Sequence, residues 1–163
     1  MEHSHNKTHN KFSIIKTLQQ KESTLTFYAF APHTHIKVPL LQEKVPAGFP
    51  SLAHENPGKS LDLNEYLIKH PAATYFVRVE GTSMVDAGIN SGDLLIVDRA
   101  LEPKDGSIVV AAINGEFTVK RVKNRLGSLY LVSENASFAP IKITEDMDFE
   151  IWGVVTHAIH SVS

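Results

Sequence analysis

The sequence predicts a mainly β domain with one short helix, preceded by an extended, largely flexible N-terminal arm. Beyond residue 71, runs rich in Val, Ile, Phe and Tyr are separated by turn residues, which is typical of successive strands. The first 47 residues are polar and His-rich at their start and are interrupted by prolines further on. The 163 residues leave room for one compact domain and a tail.

Within the arm, residues 1–24 offer few apolar contacts, so we expect them to be mobile. Residues 25–30 are apolar and aromatic enough to form a short strand. Pro32, Pro39 and Pro46 interrupt the chain that follows. We therefore expect a short strand and then extended chain.

A short helix is predicted over residues 62–70. Asp62 is a suitable N-cap, Glu65 follows it by three residues, and Pro71 is predicted to stop the helix. Such a segment holds about two or three helical turns.

After the helix, six strands account for most of the remaining chain. The sequence Asn114-Gly115 between two of them is a strong signal for a two-residue hairpin. Residues 108–113 are apolar without alternation, which indicates a strand buried on both faces at the centre of a mainly antiparallel sheet. The six predicted strands span residues 74–79, 93–97, 107–113, 116–122, 128–132 and 151–159.

The composition excludes several classes of protein. With 42% hydrophobic and 21% charged residues, and no apolar run of about 20 residues, the chain fits neither a membrane protein nor a disordered one. The absence of cysteine excludes disulfides, a thiol nucleophile and thiolate metal sites. The N-terminus lacks the basic-then-apolar layout of a signal peptide, so we expect a cytoplasmic protein.

The charge is divided unevenly along the chain. Residues 1–47 carry six lysines and three acidic residues, a net charge of +3, whereas residues 48–163 carry ten basic and fifteen acidic residues, a net charge of −5. Neither part has the clustered Lys and Arg that contacts with phosphate need. Direct, sequence-specific DNA binding is therefore not predicted.

The nine histidines include two His-x-His pairs, His3 with His5 and His33 with His35. Five of the nine lie in the arm with no carboxylates arranged around them, whereas a zinc site takes three or four ligands on a defined scaffold. We interpret the arm as a solvated polar segment that binds metal only adventitiously. No metal site and no cofactor are predicted.

Ser83 and Lys120 offer nucleophilic chemistry that needs no histidine. Ser83 follows the strand predicted at residues 74–79, where Gly81 permits a turn that exposes the hydroxyl and the neighbouring backbone N–H groups. Lys120 lies inside the strand predicted at residues 116–122, and a buried lysine acts as a base when desolvation lowers its pKa. Taken singly, an ordinary loop serine and a solvated hairpin lysine are the simpler interpretations.

Two motifs carry a resemblance to a known family. The first is Gly81-Thr82-Ser83-Met84 and the second is Phe117-Thr118-Val119-Lys120-Arg121. Both are similar to motifs of the LexA/UmuD family of self-cleaving SOS-response proteins, S24-type serine/lysine peptidases whose nucleophile is the serine of G-x-S-M. The resemblance continues through residues 88–98 and 114–120 and covers the chain from about residue 45 to residue 162. The spacing of 37 residues from the serine to the lysine also matches the family.

The resemblance implies catalytic roles for specific residues. Members of the family cut an Ala-Gly or Cys-Gly bond in an extended segment of their own chain, and Ala47-Gly48 is such a bond, 36 residues before Ser83. Ser83 would be the nucleophile and Lys120 its general base. Backbone N–H groups of Ser83 and Met84 would stabilise the oxyanion. The implied activity is that of an autoproteolytic serine peptidase.

The resemblance also implies a division of the chain into an arm of residues 1–47, removed by self-cleavage, and a β-rich peptidase-like domain of residues 48–163. The arm is too short and too rich in proline for the three-helix DNA-binding domain of a LexA-type repressor, so the UmuD branch fits better. In that branch, a RecA filament on single-stranded DNA acts as co-protease in the bacterial cytoplasm. The trimmed homodimer then joins a UmuC-like Y-family polymerase for error-prone synthesis past DNA damage.

Two other classes of function stay open. One is a non-cleaving interaction module, or a relative of LexA-like repressors without a DNA-binding domain, that keeps the fold as a partner of a polymerase or repressor. The other is a signal-peptidase-like serine/lysine protease that cuts other chains. We expect that class to have a membrane anchor, and the sequence predicts none.

Overall fold

The computed structural model describes residues 26–29, 35–40, 47–48 and 58–163. Within these residues, ten strands and one short α-helix account for the regular structure apart from two 3₁₀ turns, which confirms the predicted mainly β fold. No helix among them is long and apolar enough to cross a membrane. The elements are β1 (Thr26–Ala29), β2 (Lys37–Pro39), β3 (Ser60–Asp62), α1 (Leu63–Leu67), β4 (Thr74–Arg78), β5 (Leu94–Asp98), β6 (Ile108–Ile113), β7 (Glu116–Arg125), β8 (Ser128–Val132), β9 (Ile141–Lys142) and β10 (Phe149–Ile159).

Eight of the strands form one antiparallel sheet in the order β1-β4-β5-β10-β6-β7-β8-β9, while β2 and β3 form a separate two-stranded ribbon. Strand β10 pairs with β5 on one side and β6 on the other, and its register shifts once along each pairing. A Cβ atom on Gly153 would lie 2.8 Å from Cγ1 of Val97 and 3.1 Å from the carbonyl oxygen of Asp98. The glycine therefore lets β10 lie close against β5.

The core lies on both faces of the central strands. Successive residues of a strand point to opposite faces of the sheet. Val109 and Ala111 of β6 accordingly belong to one buried cluster, and Val110 belongs to the other. All three are fully buried, which confirms the prediction that this strand is covered on both faces.

The hairpin predicted at Asn114-Gly115 is confirmed. Both residues have positive φ, +50° and +84°, as a two-residue turn with the right-handed twist of its strands requires. They join β6 to β7 with Ile113 opposite Glu116. Strand β7 runs three residues further than predicted, because its last residues pair with β8.

The helix begins as predicted and ends earlier. The Asp62 side chain accepts a hydrogen bond from the Asn64 backbone N–H at 2.8 Å, so Asp62 is the N-cap. The α-helix ends at Leu67, however, and Pro71 opens a 3₁₀ turn, Pro71–Ala73, so the prediction that Pro71 stops the helix is wrong. A proline is tolerated in the first helical position, where its missing N–H has no partner to lose.

Two segments that precede residue 47 pair with the rest of the fold. The strand predicted within residues 25–30 is confirmed as β1, which pairs with β4 at one edge of the large sheet. The sequence does not predict β2, which pairs only with β3 in the two-stranded ribbon. Pro39 ends β2 and is tolerated there because the strand is at an edge. The predicted mobility of residues 1–24 concerns a segment outside the described residues.

Candidate active site

Ser83 lies in the loop that follows β4. Two backbone hydrogen bonds close the base of this loop, from the Val79 N–H to the Asp93 carbonyl at 3.0 Å and from the Gly92 N–H to the Val79 carbonyl at 2.7 Å. Gly81 has a φ of +107°, which confirms the unusual turn predicted there. The loop is thus held in shape on the approach to the half-buried serine.

The residue after Ser83 anchors the loop in the core. Met84 is 2% exposed and belongs to the buried cluster that includes Val110. Its carbonyl oxygen accepts hydrogen bonds from the N–H groups of Ala87 at 3.1 Å and Ile89 at 3.2 Å. Because Met84 is fixed by both its side chain and its backbone, the adjacent serine has little freedom to move.

Lys120 reaches Ser83 from the middle of the sheet. It lies on β7 opposite Val109 and is 8% exposed. Its Nζ atom is 3.1 Å from Ser83 Oγ, 2.8 Å from Thr118 Oγ1 and 3.1 Å from the Val119 carbonyl oxygen. The structure therefore brings together two predicted site residues that are 37 positions apart in the chain.

The surroundings of Lys120 disfavour its charged form. Burial lowers the pKa of Lys120 below the ordinary lysine value. Among the described residues, no carboxylate lies within ion-pair distance of its Nζ atom. A carboxylate there would hold the proton on the amine, so its absence from this part of the structure keeps the neutral form accessible.

The backbone N–H groups of Ser83 and Met84 are candidates for an oxyanion hole. Within the described part of the chain, no protein oxygen accepts a hydrogen bond from either group. Two adjacent donors without an acceptor are suited to a developing negative charge. Their role in catalysis stays a prediction.

The bond predicted to be cut, Ala47–Gly48, is exposed. Among the described residues, no atom would lie within 4 Å of a Cβ atom added to Gly48, so none of them encloses the bond in a tight pocket. The residues on either side, 41–46 and 49–57, lie outside the described residues. The roles of Ala47 and Gly48 as a cleavage site stay a prediction.

Sequence reasoning missed the residues that support the Ser83–Lys120 pair. Thr118 lies two residues before Lys120 on the same strand, so the period of two could have identified it as a neighbour on the same face. Asn135 donates from Nδ2 to the Thr82 carbonyl oxygen at 2.9 Å and lies 53 residues away in sequence. No local pattern could have predicted this loop–loop contact.

A second group of residues has the chemistry of metal ligands. His35, Asp62 and Glu65 each offer a ligand atom, and these atoms lie within 4.8 Å of one another. The group shares no residue with the Ser83–Lys120 pair.

Comparison with known proteins gives consistent matches over most of the chain. The profile of a family described as Peptidase S24-like matches residues 39–156, which include both Ser83 and Lys120. Protein MucA of Salmonella typhimurium is 47% identical over 123 residues, which cover 75% of this chain and 84% of that protein. Protein ImpA of Shigella flexneri is 48% identical over 123 residues, 75% of this chain and 83% of that protein. The LexA repressor of Pseudomonas chlororaphis is 43% identical over 112 residues, 68% of this chain but 55% of the repressor.

Proposed function

The chain belongs to the peptidase S24-like family, among its UmuD-like members, and on this premise we propose that it is a serine peptidase that cuts its own Ala47–Gly48 bond. The observation that carries the proposal is the 3.1 Å distance between Lys120 Nζ and Ser83 Oγ, made by a buried amine with a lowered pKa. A serine hydroxyl becomes a nucleophile when an adjacent base removes its proton.

The contacts of Lys120 suit a neutral amine. A neutral amine has two N–H donors and one lone pair. The carbonyl oxygen of Val119 and the hydroxyl oxygen of Thr118 are acceptors for the two donors, which leaves the lone pair for the Ser83 hydroxyl proton. The lysine is thereby oriented towards the serine before any substrate arrives.

In the proposed mechanism, neutral Lys120 takes the proton of the Ser83 hydroxyl while Oγ attacks the carbonyl carbon of Ala47. The oxyanion that forms accepts hydrogen bonds from the backbone N–H groups of Ser83 and Met84. When the C–N bond breaks, protonated Lys120 gives its proton to the leaving amine of Gly48.

An acyl-enzyme then links the Ala47 carbonyl to Ser83 Oγ. Lys120, neutral again, takes a proton from a water molecule that attacks this ester, and the serine leaves with the proton. The products are an arm of residues 1–47 and a domain of residues 48–163.

Cleavage also requires Ala47–Gly48 to bind at the Ser83 site, and both residues are exposed in the structure. We propose that a RecA filament on single-stranded DNA favours the docked arrangement by binding it more tightly than the open one. The trimmed protein would then act as a homodimeric subunit of a UmuC-like translesion polymerase. These partners follow from membership of the UmuD-like group and not from contacts in this chain.

The test is a cleavage assay on the purified chain from pH 7 to 10, with and without RecA, single-stranded DNA and nucleotide, read by fragment masses. We expect fragments 1–47 and 48–163, and an unassisted rate that rises about tenfold per pH unit until the pH passes the pKa of Lys120. Because burial lowers that pKa, the plateau should begin below the ordinary lysine value of about 10.4.

Matched variants complete this assay. Ser83→Ala should abolish cleavage, whereas Thr82→Ala removes the neighbouring exposed hydroxyl and should leave the rate unchanged. Full cleavage by Ser83→Ala would contradict the assignment. No fragments from the unmodified chain under any of these conditions would instead favour the non-cleaving interaction module.

A further inference from the structure

Three side chains from opposite sides of the Ala47–Gly48 bond converge next to α1. They are His35, Asp62 and Glu65, whose ligand atoms lie within 4.8 Å of one another. We propose that they form a site for one divalent transition-metal ion of the Zn²⁺ type. His35 would then be a specific ligand, whereas the sequence predicts an arm that binds metal only adventitiously.

The two distances from His35 to the carboxylates are those expected between ligands of one metal ion. His35 Nδ1 is 3.3 Å from Asp62 Oδ2 and 3.6 Å from Glu65 Oε1. Ligand atoms at about 2.0–2.2 Å from a tetrahedral zinc ion lie about 3.3–3.6 Å from each other. A charge-assisted hydrogen bond would be shorter, about 2.7–2.9 Å. Both distances from His35 thus fit ligands of one ion, and the two carboxylate oxygens lie within 4.8 Å of each other.

Asp62 supplies a buried oxygen that lacks a hydrogen-bond partner. Its side chain is 1% exposed, and its Oδ1 atom accepts the N-cap hydrogen bond from the Asn64 N–H. Its Oδ2 atom is buried and, among the described residues, makes no hydrogen bond, with His35 as its ionic neighbour. A buried carboxylate oxygen without a donor is costly, and a bound cation would remove that cost.

The backbone assembles the site. In the β2–β3 ribbon, Lys37 lies opposite Asp62, which brings His35, two residues before β2, close to the same carboxylate. Glu65 follows Asp62 by three residues in the first turn of α1, so both carboxylates come to the same side of the helix start. The hydrogen bond that holds Oδ1 of Asp62 also fixes the direction of Oδ2.

The ligand set suits a borderline metal ion. One imidazole and two carboxylates bind Zn²⁺ or Co²⁺ through nitrogen and oxygen, and two negative charges neutralise a divalent ion. His35 and Glu65 are 78% and 65% exposed, so an ion can reach the site from solvent and keep water in its remaining position.

The position of the site gives it a consequence that rests on the proposed cleavage. His35 belongs to residues 1–47, whereas Asp62 and Glu65 belong to residues 48–163. An ion bound by all three would cross-link the two products after the bond is cut. The metal would then delay release of the arm from the domain.

Metal binding itself is tested on a full-length chain with Ser83→Ala, which keeps it uncut, and with His3, His5 and His9 replaced by alanine to reduce background. Calorimetric titration with Zn²⁺ should give one ion per chain, and Co²⁺ should show the visible absorption of a four-coordinate site. His35→Ala or Glu65→Gln should weaken Zn²⁺ binding about 100-fold or more, because even outer-shell partners of a metal contribute about 10–100-fold.

His157→Ala is the matched control, since it removes an exposed histidine from β10, and should leave the titration unchanged. Zn²⁺ affinity and stoichiometry that are unchanged in His35→Ala would overturn the proposal and assign the binding to adventitious histidines elsewhere.

The cross-link is tested on the unmodified chain after cleavage, by size-exclusion chromatography in Zn²⁺ or in EDTA. Fragment 1–47 should elute with fragment 48–163 in Zn²⁺ and separate from it at least about tenfold faster in EDTA, a difference that His35→Ala should remove. Equal release in both buffers would overturn the cross-link. If no fragment forms, the proposed cleavage fails, and the titration still decides whether the metal site exists.

Discussion

Lys120 and Arg121 are consecutive basic residues of β7, yet their side chains have opposite surroundings. Lys120 is buried, contacts two hydroxyls and one carbonyl oxygen, and has no carboxylate partner among the described residues. Arg121 forms an ion pair with Glu134 and donates to the Gly106 carbonyl oxygen at 2.6 Å. Successive strand residues face opposite sides of a sheet, so one strand provides both environments.

The difference lies in the partners of the two side chains, because Arg121 has a carboxylate and Lys120 has none among the described residues. The backbone carbonyl oxygen of Glu134, the partner of Arg121, accepts a hydrogen bond from the Asp86 N–H at 2.9 Å. The next residue, Asn135, donates from its side chain to the Thr82 carbonyl oxygen. These contacts hold both ends of the loop that carries Ser83. Arg121 thus supports the loop that carries Ser83, and Lys120 is left without a carboxylate among the described residues, as the proposed base requires.

The largest effect on the cleavage rate should come from replacing Lys120 with arginine, the residue type of its neighbour Arg121. Lys120→Arg keeps the positive charge but cannot lose a proton, so the cleavage rate should fall by about 10²–10⁴-fold if the residue is a general base. Fragment masses at pH 9 provide the measurement. Lys104→Arg, the same change at an exposed lysine, should cleave normally. Retained cleavage in Lys120→Arg would mean that the charge, and not proton transfer, matters.

Removing the paired cation should have a smaller effect of a different kind. Arg121→Gln leaves Glu134 without its ion pair, which should cost about 1–3 kcal/mol of stability and loosen the Ser83 loop. We expect cleavage about tenfold slower with an unchanged pH midpoint, because Lys120 is untouched. Arg125→Gln, an exposed arginine of the same strand, is the control. A shifted midpoint in Arg121→Gln would show that the two environments are not independent.

The hydroxyl of Thr118 should have a milder influence on the base. Thr118→Val keeps the side-chain shape but removes the oxygen 2.8 Å from Lys120 Nζ. Because that oxygen accepts a hydrogen bond from the protonated amine, its loss should lower the pKa of Lys120 and move the midpoint of the rate to lower pH. The plateau rate should fall about three- to tenfold. The pH profile of fragment formation measures both changes. An unchanged midpoint would show that the Thr118 hydroxyl does not influence the pKa of Lys120.

The smallest effect should appear in folding stability. Burial depresses the pKa of Lys120 in the folded chain, so the unfolded chain binds more protons between that pKa and about 10.4. The stability of the unmodified chain relative to Lys120→Met should therefore rise with pH through this window and level off above it. Urea unfolding at several pH values, on uncut Ser83→Ala backgrounds, measures the difference. A relative stability that falls with pH would contradict the depressed pKa.

Features with local causes were predictable from the sequence. The Asn114-Gly115 hairpin and the Asp62 N-cap depend on a few adjacent residues, and the apolar run of β6 reflects burial of a single strand. The early end of α1 was not predictable in this way, because the helix ends at Leu67 and Pro71 opens a separate 3₁₀ turn. The β2–β3 ribbon was missed because each strand has three residues and one ends in proline.

The candidate active site could not be predicted from local sequence patterns alone. On strand pattern alone Lys120 resembles a solvated lysine, and only the resemblance to a family paired it with Ser83. The contacts of Glu134 and Asn135 depend on loops far apart in sequence. The carboxylates near His35 could not be predicted either, because it is the register of β2 against β3 that brings them to the histidine.

The place of β10 in the sheet has a consequence for synthesis on the ribosome. The strands on the Ser83 side, β4 and β5, join those on the Lys120 side, β6 and β7, only through β10, which follows all of them in the chain. Until Phe149–Ile159 has emerged, the two halves of the sheet have no shared strand. The sheet that brings Lys120 close to Ser83 can therefore be completed only after the last strand has been synthesised. In the proposed function, this order would delay self-cleavage until the domain is complete.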